Sequence, residues 1–379
     1  MAGEGPDCGR ARTARRRPSY RGSMTPNMDH ADGSDIGLGP EPEHVGTLLV
    51  ILPPGLAGIV DAVPALRHVR MTYPYAVISA VACGEAGKLL DACPYVDRRI
   101  DARRPAELVL EQFDLAVSLA DAYPAATPPH VFDRTYDLSR VDASVRVAYR
   151  DPGSPVIYDV HPVRPVQMSR SAAMQRLVWL LGGSVPSPQS SLWATLADRH
   201  AAARILDGAP SEVVVMHPFS THPSSRWSWE GWRAVTTALT DEGACVVLVG
   251  LDRDEDAELM AAQLGAVGAI NLIGITDVGA LVGVLERAMV FVGVDSGPAA
   301  LARALGMHAV IVGAQSEAYV RQHESNIDYV QHDPCLICDS SSCMHIDAAG
   351  HDLPIERVIA QVQVRYGRAA RSIALPQQS

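Results

Sequence analysis

The chain reads as a two-part α/β protein, each part a parallel sheet with helices between its strands, the two parts facing a cleft. Three observations predict this. Short apolar runs, of the kind buried parallel strands show, alternate with segments of helical spacing. The alternation stops and restarts around a Ser/Pro-rich stretch, Ser184 to Ser191. The length, 379 residues, suffices for two domains of ordinary size. The expected organisation is therefore a tail over 1–45, a first α/β domain over 46–190 and a second over 191–370.

Residues 1–45 stand apart. Arg10, Arg12, Arg15, Arg16 and Arg17 cluster among Gly, Pro, Asp and Ser. No apolar run follows the arginines, so the segment is not a secretory signal. It is expected to be a disordered tail, or to lie upstream of a start at Met24 or Met28; a basic binding arm is the alternative.

The folded part opens with Leu48 to Leu52, a buried strand, and a Pro53-Pro54-Gly55 turn. Asp61 to Pro74 carries Val63, Leu66 and Val69 at helical spacing. Ala76 to Ala82 is the second strand, Gly84 to Pro94 is helical, and Phe113 to Asp121 is a strand ending in an acid. Ser171 to Gly183 is a helix closed by Gly182 and Gly183. The second series runs strand Glu212 to Ser220, helix Trp229 to Gly243, strand Cys245 to Leu251 and helix Asp254 to Gly268. Ala269 to Gly274, Ala280 to Ala288 and Val290 onward continue it.

Composition narrows the function. Hydrophobic residues at 47% and charged ones at 20% are globular values. The net charge of -11 argues against a sequence-independent nucleic-acid binder, which needs a basic surface. No run of 18 apolar residues exists, so no membrane span is expected. Seven unevenly spread cysteines do not form an extracellular disulfide framework, and a reducing, cytoplasmic setting fits better.

Val290 to Gly306 is the most informative stretch. An apolar strand is stopped by Asp295, Ser296, Gly297 and Pro298, and an Ala/Leu helix follows. Pro298 suits the first helical position, where its missing N–H has no partner to lose. The N–H groups of such a helix start suit a phosphate or a sugar hydroxyl. The plain alternative is a strand-to-helix turn with Asp295 as N-cap.

This stretch resembles the D-(T/S)-G-P-x-H-x-A signature of the ADP-heptose:lipopolysaccharide heptosyltransferase family, glycosyltransferase family 9. Asp295, Ser296, Gly297, Pro298 and Ala302 match, while the family histidine falls at Ala300. The likeness runs from about Gly46 to about Val362 and includes Pro94 to Ile100 and Phe113 to Asp121. It implies the GT-B architecture, two Rossmann-like domains facing a cleft. It also implies inverting transfer from an ADP-sugar, ADP-heptose foremost, to a hydroxyl of a glycan or natural product. No cofactor is implied for catalysis. In the family the signature Asp and Gly contact the donor sugar.

Such a reaction needs a base for the acceptor hydroxyl, donors for the leaving diphosphate and a pocket for the nucleotide. His217 to Trp232 holds the expected diphosphate grip. Ser220 and Thr221 match the family's small or hydroxyl residues and Trp227 its tryptophan; the family lysine falls at Ser225, with Arg226 adjacent. An arginine fork suits a diphosphate, and a surface cation is the alternative. Asp252, Asp254 and Glu255 follow the next strand, with Asp254 nearest the family's ribose-binding acid; an acid-rich helix start is the alternative. Gly274 to Thr276 correspond to the adenine wall. The family's catalytic Asp falls at Gly58. The nearest acid, Asp61, lies about one helical turn on and is equally a candidate N-cap. Asp61 and Asp295 are the carboxylates assigned to catalysis, with Asp121 and His217 as further base candidates.

Cys335, Cys338 and Cys343 have a metal-like C-x2-C-x4-C spacing, with His332, His345 or His351 as fourth ligand. A metal there would be structural; free thiols are the default. Three rival readings remain: a transferase for another nucleotide sugar, a sugar-nucleotide-binding or partner protein without turnover, and a metal-dependent interaction module built around the cysteine cluster.

Overall fold

The computed structural model describes residues 38–101, 103, 111–120, 138, 141–150, 158–163, 165, 168–182, 192–219, 227–251, 255–313, 325–330 and 353–374. The first half contains β1 (Thr47–Ile51), α1 (Gly55–Thr72), β2 (Val77–Ala82), β3 (Arg98–Asp101), β4 (Gln112–Ser118), β5 (Asp142–Ala148) and α2 (Arg170–Trp179). The second contains α3 (Leu196–Ile205), β6 (Val213–His217), α4 (Trp229–Asp241), β7 (Cys245–Leu248), α5 (Glu255–Gly265), β8 (Ile270–Asn271) and α6 (Val278–Arg287). It continues with β9 (Val290–Val294), α7 (Gly297–Ala304), β10 (His308–Val312), β11 (Ile327–Val330) and α8 (Ile355–Ala374).

Every strand pairing among the described residues is parallel. The first sheet has the order β3-β2-β1-β4-β5 and the second β11-β10-β9-β6-β7-β8. Both are the doubly wound arrangement, with the order reversing between β1 and β4 and between β6 and β9. The strands β6, β7 and β9 are buried along their whole length because helices cover both sheet faces.

One hydrophobic core runs through both halves: Leu48, Leu56 and Leu66 share it with Val215, Leu281, Phe291 and Ala300. Helix α1 is central to it, packing on α2 and α7. A second core, with Trp227, Trp232 and Val362, backs the other face of the second sheet. Helix α8 closes it: Val358, Val362, Tyr366 and Ala369 are buried, Arg365 pairs with Asp328, and the Tyr366 hydroxyl donates to Glu212 Oε2 at 2.7 Å.

Several expectations need correction. Helix α1 begins at Gly55, not near Asp61. Gly55 takes φ +73°, a conformation glycine adopts without strain, and turns the chain out of Pro53-Pro54 into the helix. Asp61 therefore lies inside α1 and is not its N-cap. Residues 38–45 pack on the first half. The Leu38 N–H donates to Leu180 O (2.9 Å), the Tyr73 hydroxyl donates to Pro40 O (3.3 Å), and Val45 is buried. Glu85–Ala92 is a 3-10 helix. The linker expected at 184–191 lies outside the described residues.

Candidate functional site

The carboxyl ends of β6 and β9 adjoin at the second sheet's switch point, where open parallel sheets bind ligands. Strand β9 delivers Asp295, Ser296 and Gly297, all partly exposed, to that point. Ser296, not Asp295, caps α7: its Oγ accepts the Ala299 N–H at 3.4 Å. The serine hydroxyl competes better here because its spacing reaches the third helical N–H. Pro298 accordingly takes the second helical position rather than the first.

The first half meets this turn directly. A Cβ on Gly297 would lie 2.9 Å from Leu56 Cβ, so α1 packs against the signature turn with room for hydrogen only. Three residues on, Ala300 is 3% exposed and belongs to the shared core. The position of the family histidine thus faces packed apolar side chains.

His217 ends β6 opposite Gly293 of β9, and Asp295 follows two residues beyond that partner. Its ring is 9% exposed and stands edge-on to Phe219, with centroids 5.4 Å apart. Burial pushes its pKa down to about 4, against an opposing hydrogen bond to Val249.

At the other side of β7, Gly274 adopts φ +65° and donates its N–H to Gly250 O at 2.8 Å. The chain then enters α6, capped by Asp277, whose Oδ1 accepts the Ala280 N–H at 2.8 Å. Between them Thr276 is 5% exposed, and its hydroxyl has no hydrogen-bond partner among the described residues. A buried unpaired hydroxyl costs about 1–3 kcal/mol, which a ligand partner would recover.

Asp61 is 6% exposed, and its Oδ2 lies 3.3 Å from Arg170 Nη2 on the first residue of α2. Arg170 is thus the cation paired with the one acid buried in α1; local sequence carried no signal for this long-range pair. Trp227 is buried edge-on against Trp232 (centroids 5.0 Å) and donates its Nε1–H to Leu353 O at 3.2 Å, anchoring the start of α4.

The structure brings Asp295, Ser296, Gly297 and His217 to one switch point, with Asp61 held in the opposing half. Ser220, Thr221, Ser225, Arg226, Asp252, Asp254, Asp121 and the cysteines Cys335, Cys338 and Cys343 lie outside the described residues. Among the described residues no group of His, Cys, Asp and Glu is placed to hold a metal, and no helix is long and apolar enough to cross a membrane.

Two doubly wound parallel sheets, with an acid–Ser–Gly–Pro turn at the switch point of the second, define the GT-B architecture. The chain belongs to glycosyltransferase family 9 (heptosyltransferase), whose family model matches residues 100–346, more than half of it. It is an enzyme of the glycosyltransferase class by that membership. No curated protein matches it by sequence. Among solved structures it resembles E. coli ADP-heptose lps heptosyltransferase II at 17% identity and TM-score 0.63, covering 85% of this chain and 99% of that one. A glycosyl transferase family 9 protein from Veillonella parvula DSM 2008 matches at 15% identity and TM-score 0.67, over 87% and 99%. E. coli heptosyltransferase WaaC with ADP matches at 16% identity and TM-score 0.63, over 84% and 99%.

Proposed function

We propose that this chain transfers a sugar from an ADP-sugar, with ADP-heptose the first donor to try, to a hydroxyl of a glycan or natural-product acceptor. Transfer is inverting and needs no metal for catalysis. The observation that carries this reading is the Asp295-Ser296-Gly297 turn at the switch point between β6 and β9. The Thr276 hydroxyl, without a partner among the described residues, supports a nucleotide on the same sheet edge. So does the ADP named with the relative WaaC.

In this reading Ser220, Thr221 and Arg226 take the diphosphate, Asp254 the ribose and Thr276 the adenine side. Ser296 and Gly297 hold the donor sugar. Asp295 is the better placed of the two catalytic carboxylates, being partly exposed at the crevice. Asp61 is buried and engaged by Arg170. The protein acts in the cytoplasm. A structural metal at Cys335, Cys338 and Cys343 is tested by metal content after purification.

A second reading, a sugar-nucleotide-binding protein without turnover, is favoured by the burial of Ala300 and by Gly58 in place of the family acid. Calorimetric titration with ADP, UDP and GDP tests both. ADP binding weakened by Asp295→Ala, with turnover of ADP-heptose, supports the transferase. Binding without turnover on any acceptor supports the second reading. Preference for UDP or GDP moves the donor to another nucleotide sugar, and no binding overturns all of them.

A further inference from the structure

The residue after His217 is Pro218, and that pair gives the histidine a defined chemical state. In the ladder between β6 and β7, the N–H groups of Cys245 and Val249 donate to Glu212 O (2.9 Å) and Met216 O (3.0 Å). This register turns the Val249 carbonyl back towards residue 218. Pro218 has no N–H to offer it. The His217 ring takes its place, with Nδ1 lying 2.7 Å from Val249 O. A carbonyl oxygen only accepts, so the proton sits on Nδ1 and Nε2 keeps its lone pair. No hydrogen bond to Nε2 is made among the described residues. The low pKa keeps the ring in this neutral form across the physiological range.

An uncharged acceptor repels phosphate oxygens and seeks a ligand that brings a proton. The ring stands at the switch point and leans on the end of β7, the strand whose following acids the sequence assigns to ribose. We propose that His217 Nε2 is a binding group of the donor site, accepting a hydrogen bond from a hydroxyl of the bound nucleotide sugar. This rests on the donor reading above and extends it to a residue outside the signature turn and the loop hydroxyls.

The test is calorimetry of wild type, His217→Leu and His217→Gln with ADP, 2′-deoxy-ADP, 3′-deoxy-ADP and ADP-heptose. His217→Leu should weaken binding about tenfold. His217→Gln, whose amide can both donate to Val249 and accept, should stay within about threefold of wild type. Loss of the ribose hydroxyl that His217 contacts should weaken wild type but leave His217→Leu unchanged. If the contact is to the transferred sugar, only ADP-heptose shows the loss in His217→Leu. Wild-type affinity should not rise on acidification from about pH 7.5 to 5.5, as it would for a protonated imidazole on a phosphate.

A folded His217→Leu that binds every ligand like wild type overturns the proposal. So does a His217-dependent rise in affinity at low pH. Should His217→Leu not fold, nitrogen NMR of the wild-type imidazole decides. The proposal expects an Nδ1–H tautomer whose Nε2 resonance moves on adding ADP-heptose; an Nε2–H tautomer or an Nε2 unmoved by ADP-heptose overturns it. Failure of wild type to bind any nucleotide removes the donor reading and this proposal together, whereas binding indifferent to His217 removes this proposal alone.

Discussion

Arg170 is two-thirds buried and reaches from the first turn of α2 to a carboxylate inside α1. Removing the cation leaves Asp61 with less compensation in an apolar setting, and such losses are expensive. Arg170→Met is expected to lower stability by about 1–3 kcal/mol, read from urea unfolding, the figure discounted for the exposed part of the arginine. ADP affinity should be unchanged, since the pair lies in the other half. Two buried histidines set a pH dependence. Burial lowers the pKa of His68 and of His217, the latter to about 4. The unfolded chain therefore binds protons that the folded chain refuses. Stability is full above the unfolded value near pH 6.5, and each group withdraws it as pH falls towards its folded value, by up to about 1.4 kcal/mol per pH unit. Urea midpoints measured across that window should fall on acidification, and His217→Gln should reduce the slope.

Helix α1 and the turn before α7 form a junction whose tightness rests on Gly297. Gly297→Ala places a methyl 2.9 Å from Leu56 Cβ and should cost about 1–3 kcal/mol in chemical denaturation. Leu56→Ala should relieve part of that cost, so the double variant will be non-additive. This junction was the least legible part of the sequence. The strand β9 and the stop at Asp295 were visible because an apolar run meets a Gly-Pro turn. The start of α1 was not, since Pro53-Pro54-Gly55 reads locally as a turn, and Ala57 and Gly58 dilute the helical period. Likewise, Ser296 rather than Asp295 became the N-cap because cap choice depends on backbone angles at the strand end. Helix α8, with Val358, Val362, Tyr366 and Ala369 at helical spacing, had a readable pattern but no motif to draw notice.

At the scale of the molecule, the two halves share a core across α1 and α7 and touch again where Tyr95 stands edge-on to Trp193, with centroids 5.4 Å apart. Heating should therefore give one transition with equal calorimetric and van't Hoff enthalpies, and ADP should move the whole of it upward. Two separated transitions would show that the halves unfold independently. The alternation of strands and helices made the two-sheet plan readable from sequence. That one core joins the sheets was not, because it depends on side chains roughly 240 residues apart meeting, as Leu56 meets Gly297. The burial of Ala300 also limits what this joint can hold. An imidazole placed there would have to enter a filled space, and Ala300→His alone should destabilise the protein by about 2 kcal/mol or more. A position three residues from the crevice thus serves as filler between the halves, and any larger side chain would open that joint before it reached a ligand.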